Sequence, residues 1–328
     1  MLFLKKILER YLMITEFWMS MKACYVFPGQ GSQSVGMGKD IFDRYESAKE
    51  IFHIGNEILG YDITDLMFNG PEEELRKTIN CQPAILLTSA AYFSVLNKKI
   101  PCSLALGHSI GEYSALVASN ALSLESALEL GKTRAKLMSE CIPNEKVEKG
   151  TSHMAAVFTD DLDLVYDACR KCSSLENIVQ IANINSQSQI VISGNNDAVI
   201  KVVEYLKSKG VRRVIYLNVE GPFHSALMKS AAEGMEKALR NIAIKRPSIP
   251  YIANFSADFA DEPDEIKELL VKQVCGTVKW KQSLERAIQE GFANFIECGS
   301  GDVQTKLLKR DYAGVHAEVN VIDYKEII

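Results

Sequence analysis

The chain has 328 residues, 47% of them apolar and 24% charged, which bounds it to an ordinary globular protein: one large elaborated domain, or two domains. A net charge of -5 excludes a protein whose main partner is nucleic acid, because neutralising phosphates takes a dense surplus of Lys and Arg. The eight cysteines are scattered through apolar runs without the framework of a disulfide scaffold, so a reducing, cytoplasmic setting is expected.

Residues 1–20 are apolar in patches, but Lys5, Lys6, Glu9, Arg10 and Glu16 interrupt them, so neither a signal core nor a membrane span forms. An amphipathic extension is expected, and Met19 or Met21 could serve as the start. A strand over residues 23–27 then ends in the glycine-rich loop Pro28-Gly29-Gln30-Gly31-Ser32-Gln33. Helical spacing follows over residues 43–59, after Pro71 with its acidic first turn, and over residues 83–98.

Residues 103–107 read as a strand, followed at once by His108-Ser109-Ile110-Gly111-Glu112 and a helical stretch over 113–118, with Asn120 suited to a left-handed cap. A helix over 124–141 closes at Pro143 and Asn144. From residue 154 to 219 the predicted order is βαββαβ, the pattern of a ferredoxin-like unit. Hinges are expected at 143–150 and 220–222. Beyond them come a helix over 226–240, a strand over 251–255, helices over 264–274 and 281–290, a strand over 294–297 and a last helix reaching Arg310.

Cys169 and Cys172 make a CxxC with no second pair and no nearby histidines, so no metal site is expected. Gly107-His108-Ser109-Ile110-Gly111 is a GxSxG between a strand and a helix, the context of a nucleophile elbow. The sharp turn leaves no room for side chains at the glycines, and the helix N-terminus favours developing negative charge. Ser109 is therefore the candidate nucleophile. A serine needs a base, and of five histidines His224, in the turn Gly221-Pro222-Phe223-His224-Ser225 where the chain re-enters the larger domain, is best placed. The ring of His108 should point away from the serine hydroxyl. His53 and His316 read as helix surface or tail, and His153 opens the small subdomain.

The loop at Gln30, the run Gly107-His108-Ser109-Ile110-Gly111-Glu112-Tyr113-Ser114-Ala115-Leu116, the Arg134 helix, the Phe223-His224 turn and Gln273 resemble, in this order, the motifs of malonyl-coenzyme A:acyl carrier protein transacylases. The resemblance runs from about residue 22 to 310. It implies an α/β fold: an α/β-hydrolase-like core with a parallel sheet (residues 21–150 and 220–313), an inserted ferredoxin-like subdomain (151–219) and a C-terminal tail (314–328).

The resemblance also implies roles. Ser109 would be the nucleophile, His224 the general base and Gln273 the residue orienting the histidine. The backbone amides of Gln30 and Ile110 would form the oxyanion hole. Arg134 would grip the substrate carboxylate with a planar fork that lysine cannot copy, although on an arbitrary helix the face Lys132-Arg134-Lys136 would simply be solvated. Phe223 would crowd branched substrates, and Asn183 and Asn185 would line the cleft. Malonyl-coenzyme A and an acyl carrier protein are the implied partners, with no nucleic acid, no membrane, no resident cofactor or metal, and a monomeric chain.

Two stretches depart from the family pattern. Ser152-His153 replaces a small pair, with His153 expected at the surface, and Ser300 stands where proline is common. An acidic carrier would need a basic face, for which Lys207, Lys209, Arg212 and Arg213, with Lys306, Lys309 and Arg310, are the candidates. The rivals are a polyketide-type acyltransferase acting in trans, a serine hydrolase or thioesterase of the α/β class, and an idle carrier-binding module.

Overall fold

The computed structural model describes residues 21–313 and 319–328, so the expected N-terminal extension and His316 lie outside the described residues. With strands numbered along the chain, β1 (Ala23–Phe27), β2 (Cys102–Gly107), β7 (Tyr251–Ile252), β8 (Asn294–Glu297) and β9 (Asn320–Ile322) form a parallel sheet in the order β7-β2-β1-β8-β9. Helices cover both faces, which is why β1 reads as an unbroken apolar run rather than an alternating one. Tyr25 and Phe27 join the larger core on one side, whereas Cys24 and Val26 join a second cluster around Trp280 and Leu284 on the other.

On the larger-core side lie α1 (Lys39–Arg44), α2 (Glu46–Leu59), α3 (Ile63–Asn69), α4 (Glu72–Arg76), α5 (Thr78–Leu96), α6 (Gly111–Ala118) and α7 (Leu124–Glu140). Helix α5 is long and apolar enough to cross a membrane by composition, yet it runs through the protein core. The expected single helix over 43–59 is two, because Tyr45 adopts an extended conformation between α1 and α2. Helix α5 starts five residues earlier than Pro83 suggested; the proline sits one turn in, where it removes only one ladder bond. Asn120 takes the expected left-handed conformation.

Strands β3 (Met154–Phe158), β4 (Val179–Ser186), β5 (Gln189–Gly194) and β6 (Arg213–Tyr216) form a separate antiparallel sheet in the order β4-β5-β3-β6, with α8 (Leu162–Cys172) and α9 (Asn196–Ser208) packed on it. This is the ferredoxin-like arrangement. Three helices follow: α10 (Lys229–Arg240), α11 (Pro263–Cys275) and α12 (Trp280–Gln289); α13 (Val303–Asp311) comes after β8. The small sheet is tied to the loop before α12, since Val278 donates to the Ala182 carbonyl at 2.8 Å and accepts from the Ile184 amide at 3.0 Å. Thr277 adds a hydroxyl bond to the Ile181 carbonyl at 2.7 Å.

Residues 320–322, read from sequence as part of a tail, add the edge strand β9. Three residues are too few to show periodicity. The strand expected over 251–255 stops at Ile252, because Asn254 is drawn into the turn after β2.

Candidate active site

Strand β2 ends at Gly107 and α6 begins at Gly111, which leaves Ser109 at the apex with φ 55°. That left-handed conformation is uncommon for a residue with a side chain and marks local strain. A Cβ on Gly107 would lie 1.9 Å from the Gly111 carbonyl oxygen, and one on Gly111 would lie 2.3 Å from that of Phe27. Asn254 clamps the turn: its Oδ1 accepts from the Ser109 amide at 2.8 Å and its Nδ2 donates to the Gly107 carbonyl at 2.6 Å.

His224 is brought to Ser109 from the loop before α10, also at positive φ (58°). Its Nε2 lies 2.7 Å from Ser109 Oγ, and its Nδ1 lies 2.8 Å from the backbone carbonyl of Gln273. Since that carbonyl can only accept, Nδ1 carries the proton and Nε2 is free to accept the serine hydroxyl. Burial, reinforced by the nearby Arg134 charge, pushes the imidazole pKa down to about 3. The ring is therefore a neutral base at physiological pH. The resemblance assigns the orienting role to Gln273, and the contact is made by its backbone rather than its amide side chain.

Arg134 is fully buried in α7, while Lys132 and Lys136 are exposed, so the solvated-face alternative is not what the helix adopts. Its Nη1 donates to Gln82 Oε1 at 2.7 Å, and its Nη2 reaches Gln273 Oε1 at 2.9 Å and Ser109 Oγ at 3.2 Å. Every partner is neutral, and Nε has no partner. Among the described residues Arg134 forms no ion pair. A buried guanidinium without a counter-ion in contact is an anion receptor in waiting, because removing a cation from water is costly until a partner neutralises it.

The cavity holding Ser109 and His224 is also lined by Gln30, Gln82, His108, Asn183, Asn185 and Phe223. The backbone amides of Gln30 and Ile110 donate to no group among the described residues, which leaves them available to an oxyanion. His108 turns to Asn185 Oδ1 at 2.9 Å and meets Trp280 edge-on, consistent with a ring directed away from the hydroxyl; burial lowers its pKa. His153 requires a correction: it is buried, not at the surface, and its Nδ1 lies 3.2 Å from both the Gly194 carbonyl and Glu145 Oε1. Neither it nor Ser300 lines the Ser109 cavity.

The profile of the acyl transferase domain family matches residues 24–320. The chain belongs to this family. It is 40% identical over 290 residues to the malonyl CoA-acyl carrier protein transacylase of Bacillus subtilis, covering 88% of this chain and 90% of the relative. The crystal structure of an acyl-carrier-protein S-malonyltransferase from Burkholderia pseudomallei superposes with a TM-score of 0.85 at 35% identity, covering 92% of this chain and 96% of that one. A malonyl-transacylase solved with a type II polyketide-synthase acyl carrier protein gives a TM-score of 0.85 at 34% identity, covering 92% and 95%.

Several groups in this acyltransferase escape a sequence reading. Glu112, fully buried in the first turn of α6, accepts from the Tyr251 hydroxyl at 2.7 Å and from Gln273 Nε2 at 2.8 Å. Burial raises its pKa to about 7, with hydrogen bonds from Tyr251, Gln273 and the Asn254 backbone and the more distant Arg134 opposing. Gln180 of β4 accepts from the Ala226 amide at 2.9 Å and donates to the His224 carbonyl at 3.3 Å, which ties the histidine loop to the small sheet. No local pattern marks Gln82, Asn254 or Gln180. Glu112 is visible in the motif, but an acid in a first helical turn is ordinarily explained by the dipole alone.

Proposed function

We propose that this chain transfers a malonyl group from malonyl-coenzyme A to the phosphopantetheine thiol of an acyl carrier protein through a malonyl-Ser109 ester, supplying extender units for fatty acid synthesis. The carrying observation is the buried, unpaired Arg134 guanidinium, 3.2 Å from the Ser109 hydroxyl. A reacting acyl group whose far end is a carboxylate would satisfy it with charge-assisted hydrogen bonds.

His224 Nε2 removes the Ser109 proton as Oγ attacks the thioester carbon, and the tetrahedral oxygen is held by the amides of Gln30 and Ile110. Donors of this kind are worth about 3 kcal/mol each. Collapse breaks the C–S bond, and His224 returns its proton to the departing thiolate. The carrier thiol then gives its proton to His224, attacks the ester, and the proton goes back to Ser109 Oγ. Phe223, buried in the lining of the cavity, limits branching, while Asn183 and Asn185 form the wall from the small sheet. These steps use side chains and backbone amides and call for no resident metal or redox group.

We propose action as a monomer in a cytoplasmic setting, which eight free thiols fit. A carrier of polyketide synthesis is the second reading, favoured by the solved relative bound to such a carrier. A hydrolase triad is less favoured, because a carbonyl and not a carboxylate faces His224 Nδ1. Intact-protein mass spectrometry after mixing with malonyl-coenzyme A tests the proposal. A malonyl adduct absent from Ser109→Ala and discharged by a holo carrier supports it; rapid release of free malonate with no transfer overturns it.

A further inference from the structure

The site contains a buried carboxylate that touches neither Ser109, His224 nor Arg134, yet every one of them meets the residue it holds. Gln273 uses all its polar atoms: Oε1 accepts from Arg134, Nε2 donates to the Ser109 carbonyl and to Glu112 Oε2, and its backbone oxygen faces His224. Glu112 is in turn anchored through Oε1 by the Tyr251 hydroxyl.

An amide side chain can be turned end for end at little steric cost, so its orientation is decided by what its two ends meet. The reverse orientation would set Oε1 against the Glu112 carboxylate and Nε2 against the Arg134 guanidinium. Both contacts would be repulsive. The carboxylate at residue 112, acting with the Ser109 carbonyl that also accepts from Nε2, therefore holds the acceptor end of Gln273 toward Arg134.

The consequence for the cation is specific. Were the carboxylate itself in contact with Arg134, an internal ion pair would compete with any substrate carboxylate. Separated by one amide, Glu112 holds the guanidinium in place through a neutral acceptor and leaves its charge unspent.

We infer that Glu112 is a positioning residue for acyl-group selectivity: by fixing the amide of Gln273 it keeps Arg134 aimed at the reacting acyl chain and unneutralised. The inference rests on the malonyl-transfer reading above and deepens it. Tyr251, whose hydroxyl can donate to only one carboxylate oxygen, keeps the other turned to Gln273.

Glu112→Gln tests it directly, since an amide at 112 must offer its own NH2 to Gln273 once its oxygen is held by Tyr251. That NH2 faces Nε2 of Gln273 and drives the amide toward the reversed orientation, against the hold of the Ser109 carbonyl, so that its acceptor end is no longer fixed on Arg134. Initial rates of Ser109 acylation are measured with malonyl- and acetyl-coenzyme A on wild type and variant. The expected result is a fall of about 10- to 100-fold in the malonyl-to-acetyl ratio of kcat/KM, the size of one charged hydrogen bond. The loss should lie mainly in KM for the malonyl substrate.

Gln273→Met supplies a second arm that keeps the backbone carbonyl on His224 while removing the amide. It should reproduce the loss of selectivity, and Glu112→Gln in that background should cost nothing more, because the pair acts as one unit. A wild-type ratio in a folded Glu112→Gln protein, in Gln273→Met, or fully additive losses in the double variant overturns the inference. If wild type itself forms no malonyl-Ser109 ester, the transfer reading fails instead, an outcome visible before any variant is compared.

Discussion

The guanidinium of Arg134, in the middle of α7, donates to the hydroxyl of Ser109, at the apex of the turn between β2 and α6, over 3.2 Å, although 25 residues separate them in the chain. The proposed nucleophile and the proposed anion receptor are thus in contact before any substrate arrives. Such preorganisation is where most of the advantage of an active site originates.

Arg134→Ala should lower malonyl acylation of Ser109 by about 100-fold or more, since two or more charge-assisted hydrogen bonds are lost. Acetyl acylation should fall far less. Competition between the two thioesters, read by adduct mass, checks this; equal losses for both would mean that Arg134 supports the fold and not the choice of substrate.

His224→Ala should slow acylation by about 100- to 10,000-fold, the range of general-base catalysis. Because the imidazole is held near 3, it remains neutral across the physiological range and should set no acid limb there. Glu112, near 7 and faced by Tyr251, Tyr113 and Arg134 as well as Gln273, is the group that gains a proton on mild acidification. Malonyl acylation should therefore weaken as pH falls through 7, and Glu112→Gln should flatten that profile. A limb near 6.5 surviving in Glu112→Gln would return the titration to an imidazole.

The same groups act on stability with opposite signs. His224 is lowered from its ordinary 6.5 to about 3, so the unfolded chain binds the extra proton in that window and stability falls as pH drops through it. Glu112 is raised from 4.5 to about 7, so its contribution falls as pH rises between those values. Urea midpoints compared between wild type and His224→Gln should shift in favour of the variant as pH is lowered from 6.5; a constant difference would refute the depressed imidazole.

Gly107→Ala should leave little folded protein, because its Cβ would collide with backbone that has no rotamer to move. Asn254→Ala should be milder, costing about 1–3 kcal/mol by leaving the buried Ser109 amide and Gly107 carbonyl unpaired. Thermal melts should rank them in that order, and the reverse order would remove the argument that the elbow is braced from two sides.

Reversing the charges of Lys207, Lys209, Arg212 and Arg213, or of Lys306, Lys309 and Arg310, should slow transfer to an acidic carrier while leaving acylation by malonyl-coenzyme A intact. Lys306 and Arg310 already pair with Asp302 and Asp311, so the first group, which forms no ion pair among the described residues, should matter more. Unchanged transfer at low salt, where charge steering is strongest, would dismiss both patches.

Much of this site was legible because its chemistry is local. The two glycines around Ser109, the strand before them and the helix after them form one short segment whose backbone geometry only a few sequences tolerate. His224 could be singled out by position, since the chain re-enters the larger domain there. What could not be read is burial. Arg134 and Lys136 look alike on paper, yet one is sealed in the core and the other is bathed in water. Asn254 and Gln180 reach their partners across 145 and 46 residues, and no periodicity encodes such a meeting. The burial of His153 is hidden for the same reason: Glu145 and Gly194 meet it only in the folded small sheet.

The stitching of β4 to Val278 bears on how molecules enter and leave. The wall bearing Asn183 and Asn185 is hydrogen-bonded to Val278, and the next residue, Lys279, donates to the carbonyl of Asn254, the residue that braces the nucleophile turn. Under the proposed transfer reaction, a carrier's thiol would pass this tied edge on a long, slender prosthetic arm to reach Ser109.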